Sequence, residues 1–285
     1  MLSEDVGVMK PPLISQSMRG IFEEGDHYQG ANMNDGSINA EINPITIGAL
    51  FKAIMGAPAT SGVGPYVHIF KPKTVDWDDK SANPPVTLTY NMADAGSSSM
   101  FYDMNASAME LNIANGEFLT ANFTFVGGSF KQIADKASSY PVDKEFTWDG
   151  ASMSIGGTAI SDIMQLNVKL DDALEAKHTL NNSLVPSRIK RTGFRMLTVG
   201  GTLLFSDQVE YQAFLAQSER NLTVNFVNSA SDAVELIVPL MRYTEFKPKS
   251  DGPGEVEVAF TGKGVWSSTS ATLFQVTLTN DQAAY

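Results

Sequence analysis

The sequence predicts a mainly β chain in which one unit, a strand feeding a helix and then further strands, occurs twice. Three observations predict it. Most apolar residues fall in short runs that alternate with polar ones and stop at Gly, Pro, Asn or Asp, the period-two signature of half-buried strands. Helical spacing occurs at two places only. Both places stand in the same order relative to the strands around them.

The first helical stretch lies in 36–56, GSINAEINPITIGALFKAIMG. Ile38, Ala40 and Ile42 alternate with Ser37, Asn39 and Glu41, a strand with one apolar face. Asn43 is a cap candidate, and Pro44 suits the first helical position, where no intrahelical N–H is needed. Ile47, Leu50, Phe51 and Ile54 then follow at i, i+3, i+4 and i+7, with Gly56 as the stop. The second stretch, from Gly201, reads GTLLFSDQVEYQAFLAQSE. Asp207 is the cap candidate, with Glu210 three residues on, and Tyr211, Phe214 and Leu215 share one face. Downstream, VTLTYNM (86–92) and GEFLTANFTFVGG (116–128) in the first half answer LTVNFVN (222–228) and GEVEVAFTGKG (254–264) in the second.

In order along the chain, residues 1–35 are polar and irregular, with Pro11, Pro12, Gly20, Gly25 and Gly30, and read as an extended N-terminal arm. Two readings of such an arm stand open: a disordered tail, or a segment that orders against a neighbouring subunit. Residues 36–128 form the first unit. In it, 57–65 is rich in small residues, 66–70 (YVHIF) reads as a strand, and 71–85 as a projecting polar loop. Strands follow at 86–90, 108–113 and 118–126, with Asn115-Gly116 as a hairpin turn. Residues 118–126 place Leu119, Ala121, Phe123 and Phe125 on one face and mostly hydroxyl and amide groups on the other. Residues 129–150, with Pro141, read as a linker, and 151–285 as the second unit. There 151–155 and 163–170 are expected to pair around Gly156-Gly157. Strands then follow at 195–205, 222–227, 233–240, 255–262 and 272–279, with Gly252-Pro253-Gly254 turning the last long hairpin.

Composition narrows the function classes. The 285 residues are 43% apolar, carry a net charge of −12 and include no cysteine. Disulfides, thiolate metal sites and cysteine nucleophiles are thereby excluded. A run of about 18 apolar residues, the length of a membrane span, does not occur, so no membrane anchor is expected. The N-terminus has no basic region followed by an apolar core, so no secretory signal is read. The acidic balance disfavours tight binding to a phosphate backbone.

Catalytic signatures are missing. His27, His68 and His178 fall in three different segments, and none sits at a metal-ligand spacing. GxSxG, GxxxxGK[ST] and GxGxxG patterns do not occur. Asp76, Asp78 and Asp79 lack the glycine and distal glutamate of a calcium loop and read as a solvated loop. Arg188, Lys190, Arg191 and Arg195 form a basic cluster without interleaved aromatics, read as salt-bridge or interface partners rather than a nucleic-acid site. A pair of carboxylates placed by the fold, as in a glycosidase, leaves no local signature. No catalytic, cofactor-binding or metal-ligating residue is named, and no enzyme activity is expected.

Several segments together resemble the tail tube (major tail) proteins of long-tailed phages, of the type with two tube-like halves. They are 36–56, 118–127, WDGASMSIGG (148–157), 185–192 leading into 201–205, and above all GPGEVEVAFTGKGVW followed by LFQVTLTNDQAAY to the C-terminus. The resemblance covers most of 36–285.

This resemblance implies a β-sandwich or barrel-like fold in each unit, with one flanking helix. Sheets of neighbouring subunits would join in a ring-shaped β-barrel around a pore, and rings would stack into the conduit through which double-stranded DNA passes without specific binding. Partners would be further copies of the chain and other tail proteins (tail terminator, tape measure, tail tip), in a virion tail made in the host cytoplasm. If each half supplies one tube unit, three chains make a pseudo-sixfold ring, with a true hexamer as the alternative. The arm and residues 57–85 are the candidate contacts between rings. Fold alone does not separate this from the tube of a secretion or contractile injection system, and a carbohydrate-binding β-sandwich is the competing class.

Overall fold

The computed structural model describes residues 2–17, 20, 23–74, 85–92, 96–137, 143–249 and 255–285. The chain is mainly β, 56% strand and 7% helix, with two helices among the described residues. The helices stand where helical spacing predicts them. Helix α1 spans Ile47–Met55 and buries Ile47, Phe51, Ile54 and Met55. The Phe51 ring lies 5.7 Å from that of Phe70 and 6.2 Å from that of Phe123. Burying such a side chain contributes about 1.5–3 kcal/mol. Asn43 works one turn earlier than expected. Its Oδ1 accepts the Ile45 N–H at 3.0 Å and its carbonyl accepts Ile47 N–H at 3.2 Å, so Pro44 opens a turn and Thr46 is the cap position. Gly56, at φ 98°, ends the helix, its N–H bonded to the Lys52 carbonyl.

Helix α2 spans Val209–Leu215. Asp207 accepts the Val209 N–H at 2.9 Å from one position before the cap, which is Gln208, whose carbonyl accepts the Gln212 N–H at 2.8 Å. Glu210 does not reach back to complete a capping box. It is buried, accepting the Tyr243 hydroxyl at 2.7 Å and pairing with Arg220 at 3.2 Å.

Two strands of 18 residues each, Ser97–Ala114 and Asp232–Lys249, are the spine of the molecule. Each is far longer than its alternation predicts, because each serves two sets of partners. The first half of Ser97–Ala114 pairs with Val86–Met92 on one edge and Ser129–Ala134 on the other. The first half of Asp232–Lys249 likewise pairs with Arg220–Ser229 and Gln275–Asn280. Helix α1 packs on the first long strand and α2 on the second. Gln275–Asn280 also pairs with Tyr66–Phe70, which ties the C-terminus to the first helix. There Asn280 Nδ2 donates to the Pro44 carbonyl at 2.6 Å, and the Tyr285 hydroxyl donates to that of Ile45 at 2.8 Å.

The second halves of the long strands belong to one continuous antiparallel sheet. Its lateral order is Met33–Glu41, Thr120–Val126, Ser97–Ala114, Ile163–Asp171, Met196–Leu204, Glu257–Gly264, Asp232–Lys249. Ala151–Ile155 does turn at Gly156-Gly157, but its partner is the short Thr158–Ile160; Ile163–Asp171 goes instead between Ser97–Ala114 and Met196–Leu204. The stretch read as a linker opens with the strand Ser129–Ala134. The arm is ordered in part: Ser3–Glu4 and Gly7–Met9 lie on the outer edge of Met33–Glu41, and Pro12–Ile14 pairs with His27–Gln29. The aspartates at 76, 78 and 79 and the turn at 252–254 lie outside the described residues.

Candidate assembly surface

Side chains directly opposite in an antiparallel ladder share a face, so the register sorts the two faces of the continuous sheet. Ile38, Phe123, Met109, Leu170 and Leu197 follow one another across five strands, all buried. The row beside it on the other face reads Glu41, Thr120, Asn112, Asn167, Gly200, Thr261, Glu245. There Asn167 Nδ2 donates to Asn112 Oδ1 at 2.5 Å and Glu110 Oε1 at 2.7 Å, and Lys169 Nζ lies 3.9 Å from Glu110. The polar face carries Asp35, Glu41, Glu110, Asp171, Glu245 and Glu257 against Lys169, Arg242, Lys247 and Lys263. One side of the sheet is therefore core, and the other is a broad wall of hydroxyl, amide and mixed charge.

The register repeats within the chain. Thr120↔Asn112, Phe123↔Met109, Thr124↔Ala108, Phe125↔Ala106 and Val126↔Asn105 have their counterparts in Glu257↔Lys249, Phe260↔Phe246, Thr261↔Glu245, Gly262↔Tyr243 and Lys263↔Arg242, at constant separation. Both ladders skip one residue at the same place, between Thr124 and Phe125 and between Thr261 and Gly262. The skipped residues are Ser107 and Thr244. Sequence reading missed these bulges, since an extra residue only disturbs the alternation that reveals a strand.

The edges of the continuous sheet differ. Residues 3–9 cover Met33–Glu41. At the far end Met241 has Arg220 on one side and Gly264 on the other, and beyond it the edge of 242–249 away from Glu257–Gly264 meets no strand among the described residues. Pro248, which has no N–H to donate, is at home on such an edge.

The candidate chemical residues have structural partners instead. His68 is fully buried; its Nε2 donates to the Gln282 carbonyl and its Nδ1 accepts from Thr60, both at 2.8 Å. His178 Nε2 donates to the Asn32 carbonyl at 3.1 Å, and His27 lies on the surface 3.3 Å from Glu24. Of the basic cluster, Arg191 and Arg195 close on buried Asp172, Arg191 at 3.5 Å. Burial pushes the Asp172 carboxyl up against the opposing pull of Arg195, Arg191 and Lys73. Burial likewise lowers the Lys73 ammonium to about 8, Asp172 opposing and Arg195 reinforcing the shift. This ionic knot fastens the hairpin of Leu174–Lys177 and Arg188–Arg191 to the sheet. Among the described residues, no group of three or more His, Cys, Asp or Glu side chains is placed to hold a metal ion.

What remains distinctive is a sheet apolar on one face and polar on the other, ending in unlike edges. The model of the phage tail tube protein family matches residues 7–264. The chain belongs to the phage tail tube proteins. It is a structural subunit of the tail tube, a component of the virion tail that assembles with further copies of itself and meets other tail proteins. No curated protein matches the chain. Among the described residues no helix is long and apolar enough to cross a membrane. As tail tube surfaces, the polar face and the two edges become the features that need explaining.

Proposed function

We propose that this phage tail tube protein builds its ring from three chains, each supplying two tube units, with the polar face of the continuous sheet lining the pore. The repeated ladder with its repeated bulge carries this reading. Met33–Glu41, α1, Ser97–Ala114 and Thr120–Val126 form the first unit; Met196–Leu204, α2, Asp232–Lys249 and Glu257–Gly264 form the second. Ile163–Asp171 joins them edge to edge, as consecutive units of a closed wall must be joined. A closed barrel also removes exposed strand edges.

The polar face suits passing DNA. Hydroxyl and amide groups fill the space between its interspersed acids and bases, so a duplex meets no basic track to hold it. The subunit's part is structural, and no bond is made or broken by it. Mass per ring, measured on assembled tubes by scanning transmission electron microscopy, tests the stoichiometry. Three chains per ring support the proposal; six contradict it while leaving a tail tube.

A further inference from the structure

We propose that the ring closes through the arm: residues 5–9 accept residues 245–249 of a second copy along their outer edge, in antiparallel register with Gly7 opposite Lys247 and Met9 opposite Glu245. This rests on the tube reading above and assigns the surfaces that join one chain to the next.

The template lies inside the chain. Ile163–Asp171 is held between two strands, with Asn167 opposite Gly200 on one side and Asn112 on the other. Residues 3–9 lie on Met33–Glu41 in the same register: Ser3↔Asn39 and Met9↔Met33 answer Gln165↔Thr202 and Asp171↔Met196. The arm is thus the counterpart of 165–171, covered on one side only. Likewise 245–249 is the counterpart of 108–112, whose outer edge carries 167–171. Each chain has half of a joint that it also completes internally. Carrying the internal register across to a second chain gives the pairs named above and sets Asp5 opposite Lys249.

Local chemistry agrees with that occupant. Val6 and Val8 pack against the core, as Val168 and Leu170 do, and would continue the apolar layer beside buried Phe246. On the polar face Asp5 would stand diagonally across from Lys247, its carboxylate also accepting the Ser37 N–H and hydroxyl. The Asp5 N–H donates to the Ser37 carbonyl at 3.1 Å, so residues 5, 7 and 9 direct their backbone polar groups at their own chain. Towards the incoming strand they form the non-hydrogen-bonded pairs, whose side chains approach most closely, while Val6 stands opposite Pro248, a pair that keeps one ladder bond instead of two because proline has no N–H.

The absence of native cysteine makes the test direct. Chains carrying Gly7→Cys and chains carrying Lys247→Cys are mixed, assembled and oxidised, with Ser3→Cys plus Glu245→Cys chains as the out-of-register control. Disulfide-linked dimers from the first mixture, and at least tenfold fewer from the control, are expected. Tubes whose mixture links no better than the control overturn the joint. A second measurement needs no substitution: in wild-type tubes, amide exchange across 245–249 should slow at least tenfold relative to the monomer. Tubes with unchanged exchange there overturn the joint and leave the tube reading standing, whereas a chain that forms neither rings nor tubes counts against the tube reading itself.

Discussion

Ser107 and Thr244 are structural counterparts: each is the extra residue of a β-bulge, and each hydroxyl donates to a backbone carbonyl across the ladder at 3.2 Å, Ser107 to Thr124 and Thr244 to Thr261. The carbonyls belong to counterpart residues too. A bulge bends a strand and resets which face its side chains take. Both bulges lie two to three residues past the point where the 18-residue strand changes partners, so each bends its strand just inside the continuous sheet.

Replacing the hydroxyl and deleting the residue should therefore differ in kind. Thr244→Ala removes one hydrogen bond and is expected to cost about 0.5–1.5 kcal/mol. Deleting Thr244 removes the bulge itself: Tyr243, Glu245 and Phe246 keep Gly262, Thr261 and Phe260 opposite them, but the bend is lost, and the cost is expected to exceed that of the alanine variant. Urea titration of the two variants checks the contrast, and comparable midpoints would refute a role for the bend.

The docking of the C-terminus on α1 offers a second test. A Cβ on Gly48 would lie 2.2 Å from the Tyr285 ring. Gly48→Ala should destabilise the chain by about 1–3 kcal/mol, the usual cost of overpacking. In a Tyr285→Ala background the same substitution should cost almost nothing. Thermal melts of the four chains give the coupling directly.

Lys73 predicts a pH dependence with a definite sign. Its pKa is about 8 in the folded chain against an ordinary 10.5. Below about 8 the ammonium is charged in both states, and the cost of burying it is fully present. Between about 8 and 10.5 the unfolded chain holds the proton that the folded chain has shed, so this group makes stability rise with pH. Lys73→Met should thus melt higher than wild type at pH 7, with the gap narrowing as pH approaches 10.5. A gap that stays constant would refute the assignment.

Gly36 sets how closely the arm lies. A Cβ there would stand 2.4 Å from Val6 Cα, and φ at Gly36 is 148°. Gly36→Ala should lift residues 2–9 off the sheet, read as faster amide exchange in that segment with the core unchanged. Tube assembly should weaken in parallel, since the lifted segment is half of the proposed joint.

Much of this fold was legible in the sequence. Both helices were, because Ile47, Phe51 and Ile54 in one and Tyr211 and Phe214 in the other repeat at helical spacing with a polar cap before them. The 86–92 and 118–126 strands were legible by clean alternation. The long strands were not. The positive φ at Asp103 (58°) and the bulges at Ser107 and Thr244 break the period-two pattern at, or just past, the points where those strands change partners. Glu210 misled as a capping residue because its buried partners, Tyr243 and Arg220, are distant in sequence. The assembly edges left least trace of all. A strand edge recognises its neighbour through backbone N–H and C=O groups, which every residue type but proline supplies alike.

The symmetry of the tube wall tests the central claim most directly. A cryo-electron microscopy map of assembled tubes, refined without imposed symmetry and resolving individual strands, should show three-fold order. Internal joints made by 165–171 should alternate around the ring with joints made by 5–9 and 245–249 of adjacent chains. Strict six-fold order, with every joint alike, would contradict it.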